Sequence, residues 1–182
     1  MFKKCNILDE KRPELRKRSI DVVNPLSKEE KELIEQAIMH LKYSQIDKYA
    51  DKYNLRPGMG LAFPQLGINK RVIIIVHEYE DNKFKNYVFI NPVIVSESEE
   101  MIAAEAGEGC LSVNREVEGH VLRHARVTIE GMDIDGNKIS VRAREDLAIA
   151  FQHEIDHLNG ILFYDRIDPK HRFYNESEIR LI

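Results

Sequence analysis

The sequence predicts an α+β fold in which antiparallel β-sheets pack around a buried helix that carries an H-E-x-x-H motif, with a further helix near the N-terminus. Three observations support this. Apolar residues recur at helical spacing over Leu33, Ile34, Ala37, Ile38 and Leu41. From Gly58 to about Arg142, β-branched stretches alternate with turn residues. A segment apolar on most sides then closes the pattern, as a helix inside a fold should be.

The first helix opens at Ser27, where Glu30 three residues on makes a capping box, and is expected to run to about Tyr53. Pro57 and Gly58 stop it, because proline disfavours helical geometry at the preceding residue. Strands are expected in "RVIIIVHEY", "YVFINPVIVSE", "EMIAAEA", "HARVTIEGMDI" and "KISVRA". Asp135-Gly136-Asn137 marks the tip of a hairpin. The last helix begins near Arg144, with Glu145 and Asp146 suited to its N-terminus, and ends at Asn159-Gly160. Leu147, Phe151, Ile155 and Leu158 form one stripe on it, and Ile149, His153 and His157 another. The tail "ESEIRLI" reads as a final strand.

Composition sets the limits on function. The chain of 182 residues fits one domain over 1–182, since no repeat, low-complexity tract or linker divides it. A domain of this size buries roughly 70% of the surface its unfolded form exposes. The net charge of -4 argues against a general binder of nucleic acid or membrane surfaces. No segment has the length of a signal-peptide core or a membrane span, so a cytoplasmic protein is expected. The two cysteines, Cys5 and Cys110, cannot form a disulfide framework, which leaves Cys110 free for chemistry.

The chemistry centres on "FQHEIDHLNG". Histidines at i and i+4 share a helix face, so His153 and His157 can both reach one ion, while Glu154 stands close enough to hold a water without ligating. A pair of uncharged core histidines is the structural alternative. A third ligand is needed, and the residues leave the choice open. Phe163 stands where one zinc-protease pattern requires histidine. Glu176 or Glu178 could serve as a downstream acidic ligand, and Cys110, in "GEGCLSV", as a thiolate. A third stretch, "GMGLAFPQLG", begins like a dinucleotide fingerprint, but Phe63 replaces its third glycine and Pro64 obstructs the helix that should follow. It reduces to a glycine-rich turn carrying the amide of Gln65.

Taken together, "GMGLAFPQ", "EGCLS" and "QHEIDH" resemble, in order and spacing, the three signature motifs of peptide deformylase, and "GCLSVNREVEG" with "FQHEIDHLNGILFYDRI" is similar to its type II branch. The resemblance runs from Gly58 to about Ile167. It implies a metallohydrolase that removes the formyl group from N-terminal formylmethionine of newly synthesised polypeptides and releases formate. The implied metal ligands are Cys110, His153 and His157, holding one divalent ion, iron(II) in the cell with zinc, nickel or cobalt also accepted. Glu154 is implied as general acid/base for a metal-bound hydroxide that attacks the formyl carbon. Gln65 and the Leu111 backbone N–H are implied as the oxyanion hole. Met59, Gly60, Glu108 and Gly109 would pair with an extended peptide, and Ile149 would line a methionine pocket.

The partners implied are formylmethionyl nascent peptides and, transiently, the ribosome, with no specific nucleic acid and no membrane. One residue departs from the family pattern. Phe63 stands where family members usually have alanine, which leads to the expectation that it either repacks or narrows the site. Asp156 reads as a solvated carboxylate in preference to a support for the metal site, with Arg115 the other candidate support. A zinc endopeptidase using Glu176 and a non-catalytic peptide-binding module are the competing functions.

Overall fold

The first helix begins as its capping box dictates. In the computed structural model, which describes residues 2–182, the Ser27 hydroxyl accepts from Glu30 N at 3.2 Å and the Glu30 carboxylate accepts from Ser27 N at 2.9 Å. The resulting α1 (Lys28–Ser44) stops earlier than expected, and a second helix, α2 (Asp47–Tyr53), follows it. The cause is local. The Ser44 hydroxyl donates back to Leu41 O at 2.8 Å and the Gln45 side-chain amide donates to Leu41 O and across to Val76 O, so these side chains take the Leu41 carbonyl that a continuing helix would use. Asn54, in the left-handed region at φ 48°, then ends α2.

The strands are β1 (Gly60–Ala62), β2 (Val72–Glu80), β3 (Lys83–Glu97), β4 (Met101–Ala103), β5 (Arg123–His124), β6 (Arg126–Met132) and β7 (Lys138–Arg144). After β7 come α3 (Glu145–Leu158) and β8 (Arg180–Leu181). Five strands form an antiparallel sheet in the order β1-β2-β3-β6-β7. The other three form a sheet in the order β5-β4-β8, in which β4 and β8 are parallel, a departure from the all-antiparallel expectation. β3 is long enough to belong to two halves of the large sheet: it pairs with β2 up to Ile90 and with β6 from there on. The register shifts between Ile90 and Val93, around Asn91 at φ 52° and Pro92. Proline donates nothing to a ladder, so it sits at the irregularity.

The layers follow from β2, whose buried run reads Val72 to Val76. Val72, Ile74 and Val76 pack with Ile34, Ala37 and Leu41 of α1, while Ile73 and Ile75 meet Leu147, Ala148, Phe151, Ile155 and Leu158 of α3. Alternate side chains thus serve opposite faces of the sheet. The far side of α3 is covered by Ile102 of the small sheet and Ala125 against Ile149, and by Phe163, which stacks on His153 and clusters with Cys110, Val113 and Val121. That is why α3 is buried almost all round, every residue from Phe151 to Leu158 included. Among the described residues no helix is long and apolar enough to cross a membrane.

Candidate metal centre and active cleft

One turn of α3 brings His153 and His157 together, with ring centroids 5.0 Å apart. Across from them the chain turns at Cys110, where Val113 N donates to Cys110 O at 3.1 Å, and this places Cys110 Sγ 3.3 Å from His157 Nε2. Ligand atoms of Cys110, His153 and His157 all lie within 4.8 Å of one another, and this is the only such group among the described residues. Bonds of about 2.0 to 2.3 Å to a tetrahedral ion require donors roughly 3.3 to 3.6 Å apart. The Cys110–His157 spacing meets that requirement, so these three side chains fit a metal ion. Glu176, the alternative third ligand, is exposed and outside the group.

Behind His153 lies a chain of alternating charges. His153 Nδ1 lies 2.8 Å from Glu108 Oε2, and Arg123 donates to both Glu108 oxygens at 2.7 and 3.0 Å. Arg123 also donates to Asp156 at 2.6 Å, and Arg166 reaches the same carboxylate with two bonds of 2.5 Å. The side chains of Glu108 and Arg123 are only 3% and 2% exposed. Burial alone would raise the Glu108 pKa, but the hydrogen bonds from His153 and Arg123 outweigh it and hold the carboxyl at about 2. A carboxylate on Nδ1 fixes the ring and aims Nε2 at the metal position.

Burial likewise opposes protonation of His153, yet its hydrogen bonds with Cys110 and Glu108 carry its pKa well above the ordinary value. For His157, burial and the nearby His153 and Arg123 charges act together and keep it neutral, the form in which imidazole ligates.

This arrangement corrects two expectations. Asp156 is no solvated carboxylate; it is buried and anchors the Arg123 end of the chain. Arg115 supports nothing at the metal group, since it pairs with Glu10 at the surface at 2.9 Å. Glu108 was expected only as a main-chain partner of peptide, and its carboxylate is here committed to His153. Arg123 was not singled out from sequence at all, although a charged residue inside the strand-like "VLRHARV" is the signal that could have found it.

Glu154 faces the other way, toward β1. It is buried, its Oε2 has no hydrogen-bond partner among the described residues, and burial raises its pKa to about 7. Its side chain lies so close to β1 that a Cβ on Gly60 would come within 2.8 Å of Glu154 Cδ. Gln65 sits in a short helical turn (Phe63–Leu66) just after β1. Its Oε1 accepts from Ala62 N at 2.8 Å, and its Nε2 donates to Ser112 Oγ at 3.1 Å and to Cys110 Sγ at 3.6 Å. The amide orientation is thereby set, with the NH2 group toward Cys110. An N-terminal segment braces both stretches from behind, Leu8 N donating to Gln65 O and Glu10 N to Ser112 O, each at 2.8 Å. Nothing in the composition of that segment foretold this role. Phe63 does not narrow the site: it is fully buried in the core under α1.

A cleft of about 800 Å³ joins these parts. Its lining includes Met59, Gly60, Gln65, Glu108, Gly109, Cys110, Leu111, Ile149, His153 and Glu154. His157, 1% exposed, lies beneath them. The ligand, acid/base, oxyanion and peptide-binding residues implied by the three motifs therefore meet in one place, and Arg115 and Glu176 stand outside it. A Cys-His-His donor set beside a buried carboxyl of raised pKa, on this α+β scaffold, marks the chain as a metallohydrolase.

Comparison with known proteins narrows the class. A family profile described as polypeptide deformylase matches residues 4–173. The chain is 47% identical over 168 residues to a peptide deformylase of Oceanobacillus iheyensis, covering 92% of each chain. It is 44% identical over 168 residues to peptide deformylase 2 of Bacillus subtilis, covering 92% of this chain and 91% of that one. Among solved structures, the Thermotoga maritima peptide deformylase superimposes with a TM-score of 0.72 at 30% identity, covering 92% of this chain and 99% of that one. A plant peptide deformylase gives 0.75 at 28% identity, covering 91% and 82%. The chain belongs to the polypeptide deformylase family, whose known function is the deformylation of N-formylmethionine.

Proposed function

We propose that this chain, as one catalytic domain, removes the formyl group from formylmethionine at the start of nascent polypeptides in the cytoplasm, meeting them in passing at the ribosome. The observation that carries the reading is the convergence of Cys110, His153, Glu154 and Gln65 on a single cleft. A divalent cation held by Cys110, His153 and His157 would supply Lewis acidity, lowering the pKa of a water at the remaining position. Iron(II) is the ion proposed in the cell, and the same donors also accept zinc, nickel or cobalt.

The protein's own residues do the rest. Met59, Gly60 and Gly109 offer main-chain groups to an extended peptide, and Ile149 offers an apolar wall to the methionine side chain. Glu154 takes the attacking water's proton, which a carboxyl with a pKa of about 7 does readily near neutrality, and hands it to the departing amine. Gln65 Nε2 and the Leu111 N–H stabilise the negative charge growing on the formyl oxygen, a contribution of about 2.7 to 4 kcal/mol for one donor.

The test is formate release from a short formylmethionyl peptide by anaerobically prepared protein, alongside Glu154→Ala and Cys110→Ala. Release by the parent alone, with metal retained in Glu154→Ala and lost from Cys110→Ala, is the expected result. Metal still bound to Cys110→Ala, with no release by the parent, would remove both the ligand set and the activity.

A further inference from the structure

The wall of the cleft remote from Cys110 comes from the last strand, outside all three motifs. Ile182 lines the cavity there together with Ala104, Glu145, Asp146 and Ile149. Its position is fixed by the small sheet: Arg180 and Leu181 stand opposite Ile102 and Ala103, Ile182 N donates to Ala103 O at 3.0 Å, and Ile182 O accepts from Glu105 N at 2.9 Å. Arg180 latches the strand. Its guanidinium donates to Glu100 at 3.0 Å and to both oxygens of Glu145 at 2.7 and 3.0 Å. Glu145 is the first residue of α3, held in the left-handed region at φ 56° with its N–H on Ala125 O at 2.9 Å. The latch therefore ties β8 to the helix that carries His153 and His157.

We propose that Ile182 sets the depth of the pocket that receives the side chain of the substrate's first residue, with Arg180 the positioning residue that holds it in place. The inference rests on the deformylase reading above. At a rise of 1.5 Å per residue, Ile149 lies about 6 Å and Glu145 about 12 Å along α3 from His153. A formyl carbon over the metal group thus lays an unbranched side chain alongside Ile149, with its tip directed at Ile182. Because Ile182 is 37% exposed, changing its size reshapes the cavity without opening the core.

The experiment measures kcat and KM on formylmethionyl, formylphenylalanyl and formylalanyl tripeptides for the parent, Ile182→Ala, Ile182→Trp and Arg180→Ala. Ile182→Ala should raise KM for the formylmethionyl peptide roughly fivefold to tenfold at unchanged kcat, and improve the formylphenylalanyl peptide relative to it. Ile182→Trp should lower kcat/KM for formylmethionyl peptide at least about tenfold while leaving formylalanyl peptide within about twofold. Arg180→Ala should reproduce the Ile182→Ala pattern at smaller amplitude, which a general loss of stability would not do. Equal changes on all three peptides, or none, would overturn the proposal. If the parent releases no formate, the deformylase reading falls instead. Calorimetric binding of an unformylated methionyl tripeptide then tests the wall by itself, an unchanged Kd in Ile182→Ala rejecting it.

Discussion

At the scale of single residues, the site depends on contacts with no slack. Gly60 is glycine because the Glu154 side chain occupies the space a Cβ would need. Gly60→Ala should therefore push the Glu154 carboxyl aside while leaving the metal group in place. The expected outcome is a kcat lower by roughly 10²-fold, the usual cost of displacing a reacting group by about 1 Å, with metal content unchanged by elemental analysis. Loss of metal from this variant would show that β1 supports the ligands and not the acid/base. Glu108 acts on the other side of α3. Glu108→Gln keeps its shape but removes the charge facing His153 and Arg123, so affinity for the ion should fall about 10- to 100-fold. Competition with a chelator measures this, and an unchanged affinity would reduce Glu108 to a packing role.

At the scale of elements, what the sequence reveals follows from how local each cause is. The α1 cap is a four-residue event, visible in Ser27 and Glu30 and formed as expected. Ser27→Ala should lower stability to urea by about 1 kcal/mol without changing kcat, because α1 meets the cleft at its other end, where the Ser44 hydroxyl bonds the main chain of Gly58. A parallel drop in kcat would mean that α1 positions the cleft more directly. The break between α1 and α2 was not legible, because it depends on Gln45 reaching Val76 on a strand 31 residues away. Residue types and spacing gave the metal and acid/base candidates on α3 at once. They could not give the Glu108–Arg123–Asp156 chain, whose members come from a loop, β5 and α3 and meet only in the folded protein. The same limit applies to Ile182, which enters the cleft wall through a parallel pairing with β4 that alternation of apolar residues does not encode.

At the scale of the whole molecule, the N-terminal segment closes one side of the core by bonding to elements far along the chain, and one of those bonds titrates. Cys5 N donates to His40 Nδ1 at 3.0 Å, so His40 is held neutral and accepting inside the core beneath the segment. Burial, helped by the charge of Lys4, lowers its pKa from 6.5 to about 4. The unfolded chain takes up a proton at this histidine as pH falls through 6.5, whereas the folded protein does not until about 4. More protons bound to the unfolded state means that stability declines on acidification. The full contribution is present above pH 6.5, is lost progressively down to about 4, and amounts to about 3 kcal/mol at 1.36 kcal/mol per unit. Glu108 extends the decline to lower pH: with its pKa depressed from 4.5 to about 2, its contribution is present above 4.5 and fades as pH falls toward 2. Urea unfolding at pH 7 and pH 4.5 separates the two, because Glu108 has barely begun to lose its contribution at the lower value. Buried His157, its pKa likewise lowered, loses stability in the same direction in both proteins, so His40→Gln should remove the His40 share of the difference seen in the parent between those two pH values and leave the rest. An equally steep loss in His40→Gln would place the acid sensitivity elsewhere in the molecule and leave the bond under the N-terminal segment without a role in it.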